Sequence, residues 1–209
     1  MGIDISHHNG AVNFAAVKAA GHSFVWIKAT EGNGYVDPMF QHNWNAASNA
    51  GLIRGAYHFM KSGAGGPSQA DHFYQTVHNA GGLKATDMGL CLDYEDRPGI
   101  AAMGSSAAVA EAQAFLQRLQ AISHRHPVIY LDSSMGTNEV HGAFGQYHLW
   151  LANYNAELSL PPQWSDWAFW QYDDHGTVNG IPGANSVDLD HFRFGLAGLP
   201  SWCAETIIP

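Results

Sequence analysis

The sequence has few charged residues and a marked shortage of cations. Only 13% of its 209 residues are charged, and 9 Lys and Arg stand against 18 Asp and Glu, for a formal net charge of −9. Beyond Arg125, the only cation is Arg193. Because binding to a phosphate backbone depends on clustered cations, this balance argues against DNA or RNA as a ligand. We therefore expect no nucleic-acid partner.

Cysteines and long apolar runs are also scarce. Cys91 and Cys203 lie far apart, and we predict that Cys91 is a buried free thiol, although a disulfide between them is possible. No apolar run approaches the roughly 20 residues that span a bilayer. The start, Met1-Gly2-Ile3-Asp4, differs from the basic and then apolar start of a signal peptide. We expect no membrane span and no export signal in this sequence.

Histidine is plentiful, but its spacing does not suit a metal site. The 13 histidines include no two that lie three, four or five residues apart, so the sequence contains no H-E-x-x-H motif and no comparable helical ligand pair. The best local case is His7-His8 beside Asp4. The sequence also lacks a G-x-S-x-G nucleophile elbow and a phosphate-binding P-loop. We predict no metal and no cofactor.

Short apolar segments alternate with helical segments along the chain, which is typical of β/α units around a parallel sheet. Helices are predicted over residues 13–21, 37–51, 68–80 and 107–123, and no helix is predicted between the strands that follow residue 148. The predicted strands are 2–6, 24–29, 54–59, 89–96, 128–131, 149–152, 168–172 and 187–192. The sequence therefore predicts one α/β domain, residues 1–209, folded as an irregular TIM-like β/α barrel with β/α units first and mainly β-strands in the C-terminal part.

One predicted strand ends abruptly in carboxylates, in the stretch Gly89-Leu90-Cys91-Leu92-Asp93-Tyr94-Glu95-Asp96. Because side chains alternate along a strand, Asp93 and Glu95 are expected on one face. Two adjacent carboxyls do not ionise freely, so we expect an ionised Asp93 to keep a proton on Glu95, which could then act as a general acid. Alternatively, these acids cap the next helix or face water. The apolar residues before them favour a site.

Further acids and aromatic residues fall at the ends of the other predicted strands, where the active sites of β/α barrels lie. Carboxylates can protonate and position a scissile oxygen, and aromatic rings offer flat faces on which sugar rings stack. This combination favours a carbohydrate ligand. The residues that carry it are Asp4, Tyr57, Tyr130, Trp150, Trp170, Asp188 and Asp190.

Seven motifs in order make the chain similar to glycoside hydrolase family 25, the CH-type lysozymes. These enzymes cut the β-1,4 bond between N-acetylmuramic acid and N-acetylglucosamine in peptidoglycan. The motifs are Gly2-Ile3-Asp4-Ile5-Ser6 with Asn9-Gly10, Trp26-Ile27-Lys28-Ala29-Thr30-Glu31-Gly32, Gly55-Ala56-Tyr57-His58-Phe59, Asp93-Tyr94-Glu95, Trp150-Leu151-Ala152-Asn153-Tyr154, Trp170-Gln171-Tyr172 and Val187-Asp188-Leu189-Asp190.

The resemblance implies a barrel that ends in β-strands, and it implies roles for four acids. Glu95 would be the catalytic acid and base, Asp93 its partner, and Asp4 and Asp188 further carboxylates of the cleft. We expect a monomeric, bacteriolytic enzyme that acts on peptidoglycan strands at the cell wall, outside the cell, as a phage endolysin or a mature secreted lysozyme. The alternative is a glycan-binding barrel without catalysis; the presence of both Asp93 and Glu95 favours the enzyme.

Some of the acids have a purely structural alternative. Asp4 could hydrogen-bond the loop of residues 6–10. Asp188 and Asp190 could be turn residues near Asn185.

Other candidate residues have structural alternatives as well. We expect Glu31 to pair with Lys28 on the surface rather than to take part in chemistry. His58 could contact substrate or be a hydrogen-bonded structural imidazole. Aromatic residues are commonly part of the core, so we expect that only one or two of four contact sugar. These four are Tyr57, Tyr130, Trp150 and Trp170.

Overall fold

Eight strands close into a barrel in the computed structural model, which describes residues 1–182 and 186–208. Around the barrel the order is β1, β2, β4, β5, β6, β7, β8 and β9, with β9 pairing back onto β1; the short β3 extends from β2. The strands are β1 (Gly2–Ile5), β2 (Phe24–Glu31), β3 (Tyr35–Val36), β4 (Ile53–Phe59), β5 (Gly89–Asp93), β6 (Val128–Asp132), β7 (His148–Ala152), β8 (Phe169–Gly176) and β9 (Val187–Phe192).

Helices follow most of the early strands. They are α1 (Phe14–Ala19), α2 (Phe40–Asn49), α3 (Gly66–Asn79), α4 (Arg97–Met103), α5 (Ser105–Ser123), α6 (Ser133–Asn138) and α7 (Leu199–Glu205). Polar side chains begin three of them: Asn13, Asp96 and Asp132 each accept a hydrogen bond from a backbone N–H in the first turn of α1, α4 and α6. None of the helices in the described residues is long and apolar enough to cross a membrane.

The predicted change from β/α units to β-strands is confirmed. All neighbouring barrel strands from β1 to β8 are parallel, whereas β9 runs antiparallel to both β8 and β1. Between β7 and β9, the described residues form no helix. Antiparallel strands need no crossover helix, which explains why the regular β/α pattern stops there.

The sequence pattern does not predict β3, α4, α6 or α7. Each is short, and α4 and α7 contain proline within their first turns. The predicted helix over 37–51 begins at Phe40, because Asp37 instead forms the preceding turn and accepts a hydrogen bond from the Met39 N–H at 2.9 Å.

The barrel interior is filled by aromatic side chains. Trp26 stacks on Trp150 with ring centroids 5.0 Å apart, and Phe169 packs edge-on against Trp26 at 5.2 Å. Gly55 leaves room for Trp26, since a Cβ there would lie 2.3 Å from the indole ring. The barrel is therefore a packed core below its open end.

Helix α7 packs against this interior through Leu199, Trp202 and Cys203. Cys91 of β5 belongs to the same buried cluster, and both cysteines are free thiols. The prediction of a buried free thiol at Cys91 is thus confirmed. Burial raises the pKa of the Cys91 thiol well above its usual value, which keeps it protonated and unreactive.

Candidate active site

A cleft opens at the carboxyl ends of the barrel strands. It brings together all the predicted site residues except Trp170 and the fully buried Asp190, and it adds Gln171, which was not a predicted site residue. The residues that line it are Asp4, Tyr57, Asp93, Glu95, Tyr130, Trp150, Gln171 and Asp188. Residues from opposite ends of the chain meet here because β9 closes the barrel against β1.

Trp170 lies outside this cleft. On β8 its neighbours are Phe169, in the barrel core, and Gln171, in the cleft, so the alternation of side chains turns Trp170 to the outer face. There its indole N–H donates to the Asn153 carbonyl at 2.7 Å, and its ring lies 5.8 Å from that of His191.

Asp93 and Glu95 both face the cleft, as the alternation predicts. Strand β5 ends at Asp93, which is only 5% exposed, whereas Glu95 is exposed at the open edge. Tyr94 between them turns away and is buried edge-on against Phe144, with ring centroids 5.7 Å apart. The cleft thus holds one deep and one accessible carboxyl.

The surroundings of Asp93 and Glu95 change the pKa of both acids. Burial, and then the charge of Glu95, raises the pKa of Asp93 well above its usual value. Although the Glu95 side chain is exposed to solvent at its edge, the cleft walls partly desolvate its carboxyl; this desolvation, followed by the charge of Asp132, also raises the pKa of Glu95. Both shifts favour the protonated forms, so the pair keeps a proton to higher pH than isolated acids do. The alternation of side chains predicts the face to which Asp93 and Glu95 point, but it does not predict how deeply each carboxyl is buried.

A hydrogen-bonded network crosses the floor of the cleft through Gln171. The Gln171 Nε2 donates to Asp4 Oδ2 at 2.8 Å, and its Oε1 accepts from the hydroxyls of Tyr130, at 2.9 Å, and Tyr154, at 2.6 Å. Gln171 is 2% exposed, whereas Tyr154 is 51% exposed at the rim. The amide therefore holds two tyrosines and one acid in fixed positions. Gln171 lies two residues after the apolar Phe169 on β8, so the two side chains share the inward face of the strand. This spacing is the sequence signal that Gln171 faces the cleft.

Three carboxyls meet on the side of the cleft formed by β1 and β9. Asp4 pairs with Asp188 in the strand register, and the two side chains share a hydrogen bond. Asp190 is fully buried and accepts from the Trp150 indole N–H at 2.8 Å. Burial raises the pKa of Asp4 and Asp190 well above the usual range, and that of Asp188 to about 6. These neighbours hold protons at a pH where isolated aspartates are ionised.

These contacts bear on the structural alternatives for the acids. Asp4 accepts a hydrogen bond from Gln171 on the floor of the cleft, whereas the structural alternative placed its partner in the loop of residues 6–10. Asp188 and Asp190 lie within β9, while Asn185, the proposed turn neighbour, lies outside the described residues.

His58 has a structural environment. It is fully buried, and its ring nitrogens contact Thr30 Oγ1 at 2.8 Å and Gln69 Oε1 at 3.1 Å. Burial lowers the pKa of His58 to about 3, so the ring is neutral. Its ring also stacks on Phe115 with centroids 5.1 Å apart. The structural alternative fits these contacts.

In the histidine pair considered for a metal, His7 contacts an aspartate other than Asp4. Its Nδ1 contacts Asp37 Oδ2 at 2.8 Å. Among the described residues, one group of three ligand side chains has its atoms within 4.8 Å of one another: Asp173, Asp174 and His175. These residues lie on β8 away from the cleft lining, and such surface acidic groups are common without an ion.

Asp132 offers a test of the electrostatics at Glu95. Asp132→Asn removes the negative charge that raises the pKa of Glu95, so Glu95 loses its proton at lower pH. We expect the alkaline limb of the kcat/KM profile to move to lower pH. Asparagine still accepts the Met135 N–H that begins α6. Asp166→Asn, which removes an exposed partner of Arg193, is the matched control; an unshifted limb in Asp132→Asn would contradict this electrostatic coupling.

A β/α barrel with paired carboxyls and aromatic side chains at the carboxyl ends of its strands is typical of glycoside hydrolases. The sequence matches the model of glycosyl hydrolases family 25 over residues 3–181. The chain belongs to this family and is a glycoside hydrolase.

Proteins of this family from several organisms are similar to the chain. Lysozyme M1 of Streptomyces globisporus is 37% identical over 209 residues, covering 95% of this chain and 69% of that protein. The N,O-diacetylmuramidase of Chalaropsis sp. is 34% identical, covering 92% of this chain and 97% of that protein. The crystal structure of the bacterial lysozyme from Streptomyces coelicolor superposes with a TM-score of 0.88 at 34% identity, covering 98% of this chain and 97% of that one.

Proposed function

We propose that the protein is a lysozyme, an N-acetylmuramidase that hydrolyses the β-1,4 bond between N-acetylmuramic acid and N-acetylglucosamine in bacterial peptidoglycan. The observation that carries this proposal is the pair of carboxyls with raised pKa values, Asp93 and Glu95, in one cleft at the end of a family 25 barrel. The relatives named lysozyme and N,O-diacetylmuramidase support the substrate class.

Glu95 is the proposed general acid and base. It lies at the open edge of the cleft, where a glycosidic oxygen can reach it, and its pKa is raised by burial and by Asp132. A protonated Glu95 would transfer its proton to the leaving oxygen and then, as a carboxylate, take a proton from the attacking water. The raised pKa keeps this proton on Glu95 at a pH where an isolated glutamate is ionised.

Asp93 is the proposed partner carboxyl. Asp93 lines the cleft, and its buried Oδ1 has no hydrogen-bond partner among the described residues. In this position, Asp93 would stabilise positive charge at the reacting carbon or orient the 2-acetamido group of the sugar. Attack by that acetamido group and attack by an enzyme carboxylate both lead to retained anomeric configuration.

The remaining walls are proposed to hold the sugar. Tyr57, Tyr130 and Trp150 offer aromatic surface and hydroxyl groups to the cleft, while Asp4 and Asp188 offer hydrogen-bonding carboxyls. Tyr57 and Tyr130 keep their protons because burial raises their pKa well above the usual value, so both hydroxyls remain donors.

The direct test is the release of reducing ends from purified peptidoglycan. A lysozyme produces them, whereas a glycan-binding barrel without catalysis binds the same material and releases none. Family membership and the presence of both cleft acids favour the enzyme.

We predict that cleavage survives exhaustive chelation. A carboxylic acid that protonates the leaving oxygen makes a metal unnecessary for polarising the substrate. The measurement is the rate of reducing-end release before and after treatment with EDTA, followed by gel filtration. Loss of the activity and its specific recovery with zinc would contradict the carboxyl mechanism.

The proposed setting is the bacterial cell wall. Relatives include an autolytic lysozyme from Clostridium acetobutylicum, 35% identical over 93% of this chain and 56% of that protein. We propose that residues 1–209 form one catalytic domain that acts as a monomer outside the cell, as an endolysin or a secreted lysozyme.

A further inference from the structure

Strand β2 carries an irregularity next to the cleft. Its register with β4 shifts between Lys28, which pairs with Tyr57, and Thr30, which pairs with His58. In a regular strand, residues three apart point to opposite faces. Here the bulge brings Lys28 and Glu31 to the same side, and the Lys28 ammonium meets Glu31 Oε2 at 2.8 Å.

The Lys28 ammonium is held from several sides at once. Its side chain is only 13% exposed, and its Nζ lies 4.9 Å from the centre of the Phe59 ring and 5.9 Å from that of Tyr35. Phe59 pairs directly with Asp93 in the register of β4 and β5. The surface pair expected from the sequence is therefore a partly buried cation on the wall beside the paired carboxyls.

We propose that Lys28 is a positioning residue for cleavage: held by Glu31 and over the Phe59 ring, its ammonium is a fixed positive charge beside the strand position of Asp93, and it acts on the acid pair from there. This inference rests on the proposed function, because it assigns a role relative to the acid pair. The bulge serves the role by placing the cation and its acidic partner on the same side of β2, next to the residues that line the cleft.

The charges that face the pair explain why such a cation matters. Strand β2 supplies Lys28 and Glu31, α4 supplies Arg97, and Asp132 and Asp188 stand at β6 and β9. Lys61, after β4, is a half-exposed cation that shares Glu31 with Lys28 at 3.7 Å and also pairs with Asp96 at 3.6 Å. Tyr57 and Tyr130 face the same acids as neutral groups. Lys28 lowers the pKa of both Asp93 and Glu95, against burial and the surrounding acids. Arg97 opposes the rise only at Glu95 and is paired with Asp132.

The test compares two opposite changes of charge on this wall. Lys28→Met keeps an unbranched apolar stem against Phe59 but removes the cation, so both limbs of the kcat/KM profile for peptidoglycan should move to higher pH. Glu31→Gln removes the neutralising acid and should move the limbs to lower pH. The double variant, with no net change of charge, should return close to the parent profile. Lys84→Met, which removes an exposed lysine near Ser48, is the matched control and should leave the limbs in place.

A purely structural role would lower the rate without opposite shifts of the limbs, and this result would overturn the proposal. The same shifts are read without substrate from the carboxyl ¹³C signals of Asp93 and Glu95 during an NMR pH titration of each folded variant. If the parent cleaves no peptidoglycan but the NMR titrations shift as expected, the proposed function fails and the charge coupling stands. If cleavage is normal and both readouts are unshifted, the coupling alone fails.

Discussion

Replacing Glu95 by glutamine is expected to reduce peptidoglycan cleavage by at least the roughly 10²–10⁴-fold that general acid catalysis typically contributes. Glutamine has nearly the same shape but cannot donate a carboxyl proton to the leaving oxygen. Because Glu95 is exposed at the edge of the cleft, the fold should be unaffected. The expected loss is therefore in kcat rather than in the amount of folded protein.

The measurement is the rate of reducing-end release, alongside the melting temperature of each variant. Glu157→Gln, the same change at another exposed glutamate outside the cleft lining, is the matched control and should cleave at the parent rate. A folded Glu95→Gln variant that cleaves at the parent rate would show that Glu95 is not the acid.

The second large effect is expected in stability, at Arg54. This residue on β4 is 3% exposed, and it forms two hydrogen bonds to Asp87, from Nε at 3.1 Å and from Nη2 at 3.2 Å. Its Nη1 also donates to the Trp44 carbonyl at 2.7 Å, and the guanidinium lies 3.9 Å from the centre of the Trp44 ring. Arg54→Ala leaves Asp87, itself buried, without its cation. We expect the free energy of unfolding to fall by about 3–5 kcal/mol.

Denaturant unfolding of parent and variant measures this difference. Arg193→Ala, which breaks an ion pair with Asp166 between half-exposed side chains, is the control and should cost about 0–1 kcal/mol. If Arg54→Ala costs no more than that control, the buried pair does not stabilise the barrel as its geometry indicates.

The barrel could be predicted from the sequence because the two-residue period of strands and the 3.6-residue period of helices are both local patterns. Apolar strands, helical segments and turn residues follow from side-chain alternation and helix spacing, and the change of pattern after residue 148 is confirmed by the antiparallel β9. Asp93, the last residue of β5, and Glu95, two residues beyond the strand, both line the cleft, as the alternation predicted. The alternation also indicates that Trp170 and Gln171 face opposite sides of β8. Trp170 was predicted to contact sugar because of its aromatic ring, without regard to the face on which it lies.

Other features depend on contacts between distant residues and are absent from local patterns. The greater burial of Asp93 results from the strands that pair with β5 on either side, and no local pattern predicts it. The bulge that turns Lys28 and Glu31 to one wall appears only in the pairing of β2 with β4. Gln171 joins Asp4 to Tyr130 across the whole length of the chain, which no spacing rule detects.

The chemical identity of the new reducing end tests the proposed muramidase activity most directly. Purified peptidoglycan is digested with the protein, the products are reduced with borohydride, and the reduced sugars are identified by mass spectrometry. Hydrolysis of the bond from N-acetylmuramic acid to N-acetylglucosamine leaves N-acetylmuramic acid at the reducing end of each fragment. We therefore expect reduced N-acetylmuramic acid in the digest of the parent and none in that of Glu95→Gln. Fragments that end in reduced N-acetylglucosamine, or a digest without new reducing ends, would contradict it.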